Sequence, residues 1–85
     1  MKVATIVIQR PGENAGRLFA CLRSKAEPFG VGVAEEPDGG TDVQVTDLGD
    51  RVSDLSGFLV ERLDECGSET GLEWREHLNV LPPPP

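Results

Sequence analysis

Residues 3–8 constrain the fold of this 85-residue chain more than any other stretch. The run is apolar and rich in β-branched side chains, which predicts a β-strand. The two-residue repeat of a strand makes both faces nearly free of polar groups, with Ala4, Ile6 and Ile8 on one and Val3, Thr5 and Val7 on the other. A strand that is apolar on both faces belongs in the interior of a sheet.

The composition limits the classes of function. The chain carries 8 basic and 15 acidic residues, a formal net charge of -7, whereas binding to nucleic acid depends on clustered Lys and Arg. No stretch approaches the roughly 20 apolar residues of a membrane span, and the apolar run after Lys2 is too short for a signal peptide. We therefore expect a cytoplasmic protein that binds neither nucleic acid nor membrane, with one domain over residues 1–81 and a tail at 82–85.

The two cysteines, Cys21 and Cys66, have no metal-ligand spacing, and His77 is the one histidine of the chain. Both cysteines fall on the apolar side of predicted helices. We therefore favour two buried free thiols, with a disulfide or redox pair as the alternative. We expect no metal site and no cofactor.

Helical and strand patterns alternate through the first half of the chain. After a turn at 10–14, apolar residues at helical spacing predict a helix over 14–26. A two-residue repeat then predicts strands at 29–36 and 41–48. The turn sequence between them, Glu-Pro-Asp-Gly-Gly at 36–40, predicts that they form a β-hairpin.

The second half predicts one more helix and a less clearly defined last strand. Asp50 is suited to be the N-cap of a helix that runs to Cys66, and Gly67 is placed to end it. Residues 72–81 fit both a strand and a helix, and we favour a strand because it completes the pattern set by the preceding elements. The four prolines at 82–85 cannot pair in a sheet and predict an extended polyproline II tail.

The resulting order β-α-β-β-α-β predicts an α+β, ferredoxin-like sandwich. In that fold four antiparallel strands lie in the spatial order 4-1-3-2, with both helices on one face of the sheet. The first strand is then interior, as its two apolar faces require. The other face of the sheet is left open, and we expect the small residues Gly30, Gly32 and Ala34 to lie there as a surface for a partner or a second copy of the chain.

One family resemblance spans most of the chain in the order of its elements, although its motif is only about three residues long. The apolar strand, the turn Arg10-Pro11-Gly12 and the amphipathic helix, followed by a short strand and hairpin, resemble the ACT domain, a regulatory module with the same order of elements. In that family the Pro-Gly turn helps to bind a small ligand, usually an amino acid, at a subunit interface. The sequence departs from the family at Gln9, where an acidic residue is common, and after the first helix, where Gly30 and Val31 replace a frequent Asn.

The same turn also has a physical basis for binding a carboxylate. Backbone N–H groups of Gly12, Glu13 and Asn14 lie at the start of a helix, where unpaired donors and the helix dipole favour an anion, and Arg10 is adjacent. We therefore treat Arg10, Gly12, Glu13 and Asn14 as candidate ligand-binding residues. The alternative is a purely structural turn in which Asn14 caps the helix.

Charge is distributed unevenly along the chain. Residues 1–28 hold five basic and two acidic residues, a net of +3, and residues 29–85 hold three basic and thirteen acidic residues, a net of -10. One interpretation is a solvated acidic surface whose asymmetry only assists pairing between the helices. The other is an acidic docking face for a basic protein partner, which would include Asp54, Glu61 and Glu65.

No catalytic signature is present. His77 lies among charged residues and is interpreted as solvated, the carboxylates fall in polar surroundings, and the glycines form no phosphate-binding loop. The sequence therefore predicts a non-enzymatic interaction or regulatory module that acts through an open sheet face and an acidic helix. The alternative is an ACT-like amino-acid sensor that binds its ligand at a dimer interface. A small dimeric enzyme that uses a cavity is a third, weaker hypothesis.

Overall fold

The computed structural model describes residues 1–37 and 40–81. Four strands and two helices follow one another in the predicted order. They are β1 (Lys2–Ile8), α1 (Glu13–Ala26), β2 (Val31–Val33), β3 (Asp42–Asp47), α2 (Leu55–Thr70) and β4 (Leu78–Leu81). Two short 3-10 turns, Glu27–Phe29 and Trp74–Glu76, precede β2 and β4.

The strands form one antiparallel sheet in the order β2-β3-β1-β4, which confirms the predicted α+β topology. Strand β1 lies between β3 and β4, with Ile6 opposite Val43 on one side and Val80 on the other. Its interior position follows from its composition, because a strand with two apolar faces loses least when neither edge meets water.

The core lies between the sheet and the two helices. On β1, Ala4 and Ile6 are buried, whereas Val3, Thr5 and Val7 on the opposite face are only partly buried. Each helix contributes one buried stripe at helical spacing. The stripes are Ala15, Leu18, Phe19, Leu22 and Ala26 on α1 and Leu55, Phe58, Leu59, Leu63 and Cys66 on α2.

Cys21 and Cys66 are joined by a disulfide, so the prediction of two free thiols was wrong. The bond links α1 to α2, with the two Cα atoms 5.9 Å apart. Both cysteines do lie on the apolar sides of their helices, as predicted, and helix packing brings those sides together. A disulfide does not favour the cytoplasmic expectation, because such bonds persist mainly in oxidising compartments.

Strand β2 is shorter than predicted, because the chain completes a 3-10 turn before it extends. Pro28 lies in the first positions of the turn Glu27–Phe29, and Gly30 ends it in the left-handed conformation at φ 73°. Phe29 and Gly30 are therefore not strand residues, and of the predicted small residues only Gly32 lies in β2. The guanidinium of Arg23 donates hydrogen bonds to the carbonyls of Val33 (3.4 Å) and Ala34 (2.8 Å) at the end of this outer strand.

Helix α2 begins and ends four residues later than predicted. The buried carboxylate of Asp47 accepts hydrogen bonds from the N–H groups of Arg51 (3.3 Å) and Val52 (2.9 Å), which keeps this segment in a loop. Asp54 is therefore the N-cap in place of Asp50, and its side chain accepts from the N–H of Gly57 at 3.0 Å. At the other end Gly71 (φ 73°) is the C-cap, so Gly67 lies inside the helix.

Residues 72–81 contain a turn and a strand in succession, so the favoured strand is confirmed only for Leu78–Leu81. Trp74 begins the 3-10 turn and is buried; its indole N–H donates to Asp64 of α2 at 2.7 Å.

The hairpin is confirmed by the β2–β3 pairing. The predicted turn residues Asp38 and Gly39 and the prolines at 82–85 lie outside the described residues. Across the part of the chain that the structure describes, no helix has the length and apolar character to cross a membrane.

Candidate ligand-binding site

The turn between β1 and α1 leaves the first N–H groups of the helix without a capping side chain. Gly12 is the N-cap, at φ 145° and ψ -169°, and no side chain accepts a hydrogen bond there. The N–H of Gly16 donates to the Gly12 carbonyl at 3.2 Å as the helix begins. Asn14 lies within the helix, so the expectation that it caps the helix was wrong, whereas a purely structural turn stays the alternative. The free donors and the helix dipole make this turn electropositive.

His77 lies beside this turn, although its sequence position is far away. The carbonyl of His77 accepts from the N–H groups of Gln9 (2.8 Å) and Arg10 (3.2 Å), because β4 pairs with the end of β1 through Ile8 and Leu78. The residue is only 7% exposed, so the interpretation of a solvated histidine was wrong. Its charged sequence neighbours gave no sign of burial, which depends on the pairing of β1 with β4.

The turn and His77 line a common cavity of about 210 Å³. It is lined by Arg10, Pro11, Gly12, Glu13, Asn14 and His77. The structure thus brings all four predicted ligand-binding residues together and adds a histidine that sequence analysis assigned to the solvent. The Nδ1 atom of His77 is buried and has no hydrogen-bond partner within residues 1–37 and 40–81. A buried polar atom without a partner is uncommon and costs free energy, so its position beside a cavity is informative.

The cavity carries both signs of charge. Arg10 and the start of α1 are positive, whereas Glu13, in the first turn of the helix, is negative. A simple anion would be attracted by the first two and repelled by the third. A small molecule with a carboxylate and a nearby amine matches all three.

The acidic residues of α2 are engaged in contacts within the chain. Asp54 caps the helix, and Glu65 lies near both Lys25 (3.9 Å) and Arg62 (2.5 Å). Lys25 of α1 also pairs with Glu69 of α2. Glu61 projects into solvent, with a side chain 74% exposed, and lies 3.6 Å from Arg62. These pairs match the interpretation in which the charge asymmetry assists packing between the helices.

The open sheet face is nearly uncharged. The registers of the three strand pairs place nine positions on the side away from the helices, and only one of them, Asp42, carries a charge, although 27% of the chain is charged. The nine are Val3, Thr5, Val7, Gly32, Asp42, Gln44, Thr46, Asn79 and Leu81. Gly32 therefore lies on the predicted partner surface. Gly30 lies in a turn, and Ala34 follows β2 and packs against the core.

Comparison with family models, curated proteins and solved structures finds no match to this chain. Within residues 1–37 and 40–81, no group of three or more His, Cys, Asp or Glu side chains is arranged to hold a metal ion.

Proposed function

We propose that this chain is a non-enzymatic regulatory module that binds a small amino acid, or a similar molecule with a carboxylate and an amine, in the cavity between the β1–α1 turn and His77. The observation that carries the proposal is a cavity lined by both a helix start and His77, a residue whose Nδ1 is buried and has no partner among the described residues. A bound ligand would supply a hydrogen-bond partner for His77 and for the uncapped N–H groups of the helix.

Each part of the ligand has a matching group in the cavity. The carboxylate would accept hydrogen bonds from the uncapped N–H groups of the first helical turn, with Arg10 as a further positive group. The amine would lie towards the carboxylate of Glu13 and donate a hydrogen bond to Nδ1 of His77. Gly12 leaves the approach open, because nothing lies within 4 Å of the point where its side chain would begin.

The sequence resemblance to the ACT domain supports the same assignment, since that family binds amino acids at the corresponding Pro-Gly turn. The β1–α1 turn and the order of elements agree with it. The resemblance also implies that a second copy completes the site, which remains part of the proposal.

A thermal-shift panel of the twenty amino acids tests the proposal. A ligand at about 100 times its dissociation constant should add about 2.7 kcal/mol to the free energy of unfolding. In Gly12→Val the shift should vanish, because the branched side chain fills the approach and disfavours φ 145°. Asn79→Ala, on the open face of β4, is the matched control and should keep the full shift. The absence of a shift with every amino acid at millimolar concentration would refute the proposal.

A second candidate function is association through the open sheet face. The low charge of this face is the observation that favours association. An uncharged, partly apolar face is complementary to a surface of the same kind, and a second copy of the chain offers one. The variant Gly32→Glu places a charge on this face and should convert a dimer to a monomer in sedimentation. A wild-type chain that sediments as a monomer at high concentration would reject the homodimer. The acidic helix remains a weaker candidate surface for a basic partner, because its three predicted carboxylates, Asp54, Glu61 and Glu65, all have partners within the chain.

A further inference from the structure

The cavity beside His77 is bordered almost entirely by polar groups. Among the described residues that line it, only Pro11 has an apolar side chain. A larger cavity of about 350 Å³ at the start of α2 is different, because Phe29, Val52 and Phe58 are among its lining residues. A ligand with an apolar side chain finds no matching surface beside His77, where its apolar atoms would displace water from polar groups without giving them partners.

The cavity is also small. Its volume of about 210 Å³ lies below the roughly 300 to 1,000 Å³ of pockets that hold drug-sized molecules. An amino acid with a long or aromatic side chain would extend from the cavity into solvent, where its apolar atoms gain nothing from binding. The size of the cavity therefore favours a ligand with a short side chain.

Two charged side chains border the cavity, and the proposed function uses both. Arg10 is assigned to the carboxylate of the ligand and Glu13 to its amine. Among the described residues, no other carboxylate, ammonium or guanidinium group lines the cavity. A third charge on the ligand would therefore meet a group of the same sign without gaining a new partner of the opposite sign. The side chain of the ligand should be neutral.

Asn14 is the polar lining residue that has no role in the proposed function. It lies in the first turn of α1, directly after Glu13, and is exposed. Its amide offers both a hydrogen-bond donor and an acceptor. A hydroxyl or amide group on the ligand can bond to it, whereas an alkyl group cannot.

We propose that the cavity beside His77 selects small, neutral amino acids with a hydrogen-bonding side chain, such as L-serine and L-threonine, and that Asn14 recognises that side chain. The selectivity rests on the proposed function, because the carboxylate and the amine must be bound for the side chain to be presented to Asn14. Three contacts around one carbon atom also distinguish the two enantiomers of the ligand.

Isothermal titration calorimetry with two pairs of amino acids tests the selectivity. L-serine differs from L-alanine by a hydroxyl group, and L-threonine has nearly the shape of L-valine but carries a hydroxyl. In each pair the hydroxyl amino acid should bind about tenfold more tightly, as one hydrogen bond allows. Asn14→Ala should bring the two members of each pair to equal affinity by weakening the hydroxyl member alone. Asn79→Ala, on the open face of β4, is the matched control and should keep both ratios.

D-serine provides a test that needs no variant. It cannot place its carboxylate, amine and hydroxyl on the same three partners as L-serine, so it should bind about tenfold more weakly. Equal affinities of the two enantiomers would overturn the three-contact arrangement. A preference for the hydroxyl amino acids that survives in Asn14→Ala would overturn the role of Asn14.

Two further outcomes separate this selectivity from the proposed function. An apolar or charged amino acid may not bind more tightly than serine and threonine: if it does, and Gly12→Val abolishes its binding, the selectivity is refuted while the proposed function stands. If no amino acid binds at millimolar concentration, both are refuted.

Discussion

The carboxylate of Asp47 is completely buried and accepts a hydrogen bond from the backbone N–H of Val52 at 2.9 Å. Its second oxygen accepts from the N–H of Arg51 at 3.3 Å. The last residue of β3 thus holds the loop that leads to α2, and through it the start of that helix. Two charge-assisted bonds to backbone groups make a buried carboxylate tolerable here.

Asp47→Asn should lower the free energy of unfolding by about 2 kcal/mol. The amide nitrogen of Asn is a donor, so one of the two backbone N–H groups would lose its acceptor inside the protein. Urea unfolding measures the loss. Asp42→Asn, at the exposed end of the same strand, is the control and should change stability by less than about 0.5 kcal/mol. Equal effects at the two positions would contradict a special role for Asp47.

The disulfide between Cys21 and Cys66 should contribute about 4 kcal/mol to the free energy of unfolding, because it closes a loop with a sequence separation of 45 residues. Denaturant unfolding with and without a reductant measures this contribution. The double variant Cys21→Ala and Cys66→Ala should have low stability in both conditions. Thiol titration of the denatured wild type without reductant is a separate check, and two reactive thiols would contradict the disulfide.

Two glycines on the helices should respond in opposite directions to alanine. A Cβ at Gly67 would lie 2.8 Å from the carbonyl oxygen of Leu72, a backbone group that cannot move freely, so Gly67→Ala should destabilise the chain by about 1 to 3 kcal/mol. Gly16 lies on the exposed side of α1, and nothing lies within 4 Å of the point where its Cβ would be. Gly16→Ala should therefore stabilise the chain by about 0.5 to 1 kcal/mol. Thermal unfolding of the two variants gives the comparison, and a shift in the same direction would contradict the close contact at Gly67.

The hydrogen bond and ion pair with the N-terminal amine of Met1, at 2.8 Å, lower the pKa of Asp50 below its usual value of 3.8. Carboxyl ¹³C shifts followed by NMR should therefore show Asp50 titrating at lower pH than an unpaired aspartate. A lowered pKa means that the pair stabilises the fold above the unfolded pKa of Asp50, and that this contribution disappears as the pH falls through the folded pKa. Acetylation of the Met1 amine should raise the midpoint; an unchanged midpoint would show that the amine is not the cause.

His77→Leu should make the ligand-free chain more stable, by about 1 kcal/mol or more, because it removes a buried nitrogen that has no partner among the described residues. The same variant should lose the thermal shift with any amino acid that stabilises the wild type. Calorimetric unfolding with and without ligand measures both effects. A less stable variant would mean that the histidine has a structural role, and retention of the thermal shift would remove it from the ligand site.

The sequence predicted those parts of the fold that depend on local patterns. The two apolar faces of residues 3–8 predicted an interior strand, and the helix stripes predicted the core. The predicted start of α2 was wrong because aspartate is a good N-cap at both Asp50 and Asp54. The choice between them depends on the N–H groups of Arg51 and Val52, which donate to the carboxylate of Asp47; residue type alone does not predict these bonds.

The candidate site was predicted in part for the same reason. Gly12, Glu13 and Asn14 are consecutive residues in a turn, so their proximity is a local property. His77 joins them only because β4 pairs with β1, and the two cysteines meet only because the helices pack side by side. Helical periodicity says which side of a helix is buried, but does not specify which residue of another helix that side will meet.

The hydrogen bonds from Arg23 to the carbonyls of Val33 and Ala34 protect the end of the outer strand β2. An arginine side chain occupies carbonyl groups at the β2 edge that an incoming strand would need, whereas the four residues of β4 form the other edge. A sheet that extends through many copies by edge-to-edge pairing requires two unobstructed edges on each copy. An obstructed β2 edge therefore prevents growth of a sheet in that direction. Arg23 thus contributes to solubility as well as to packing, because it protects carbonyl groups at an exposed end of the sheet.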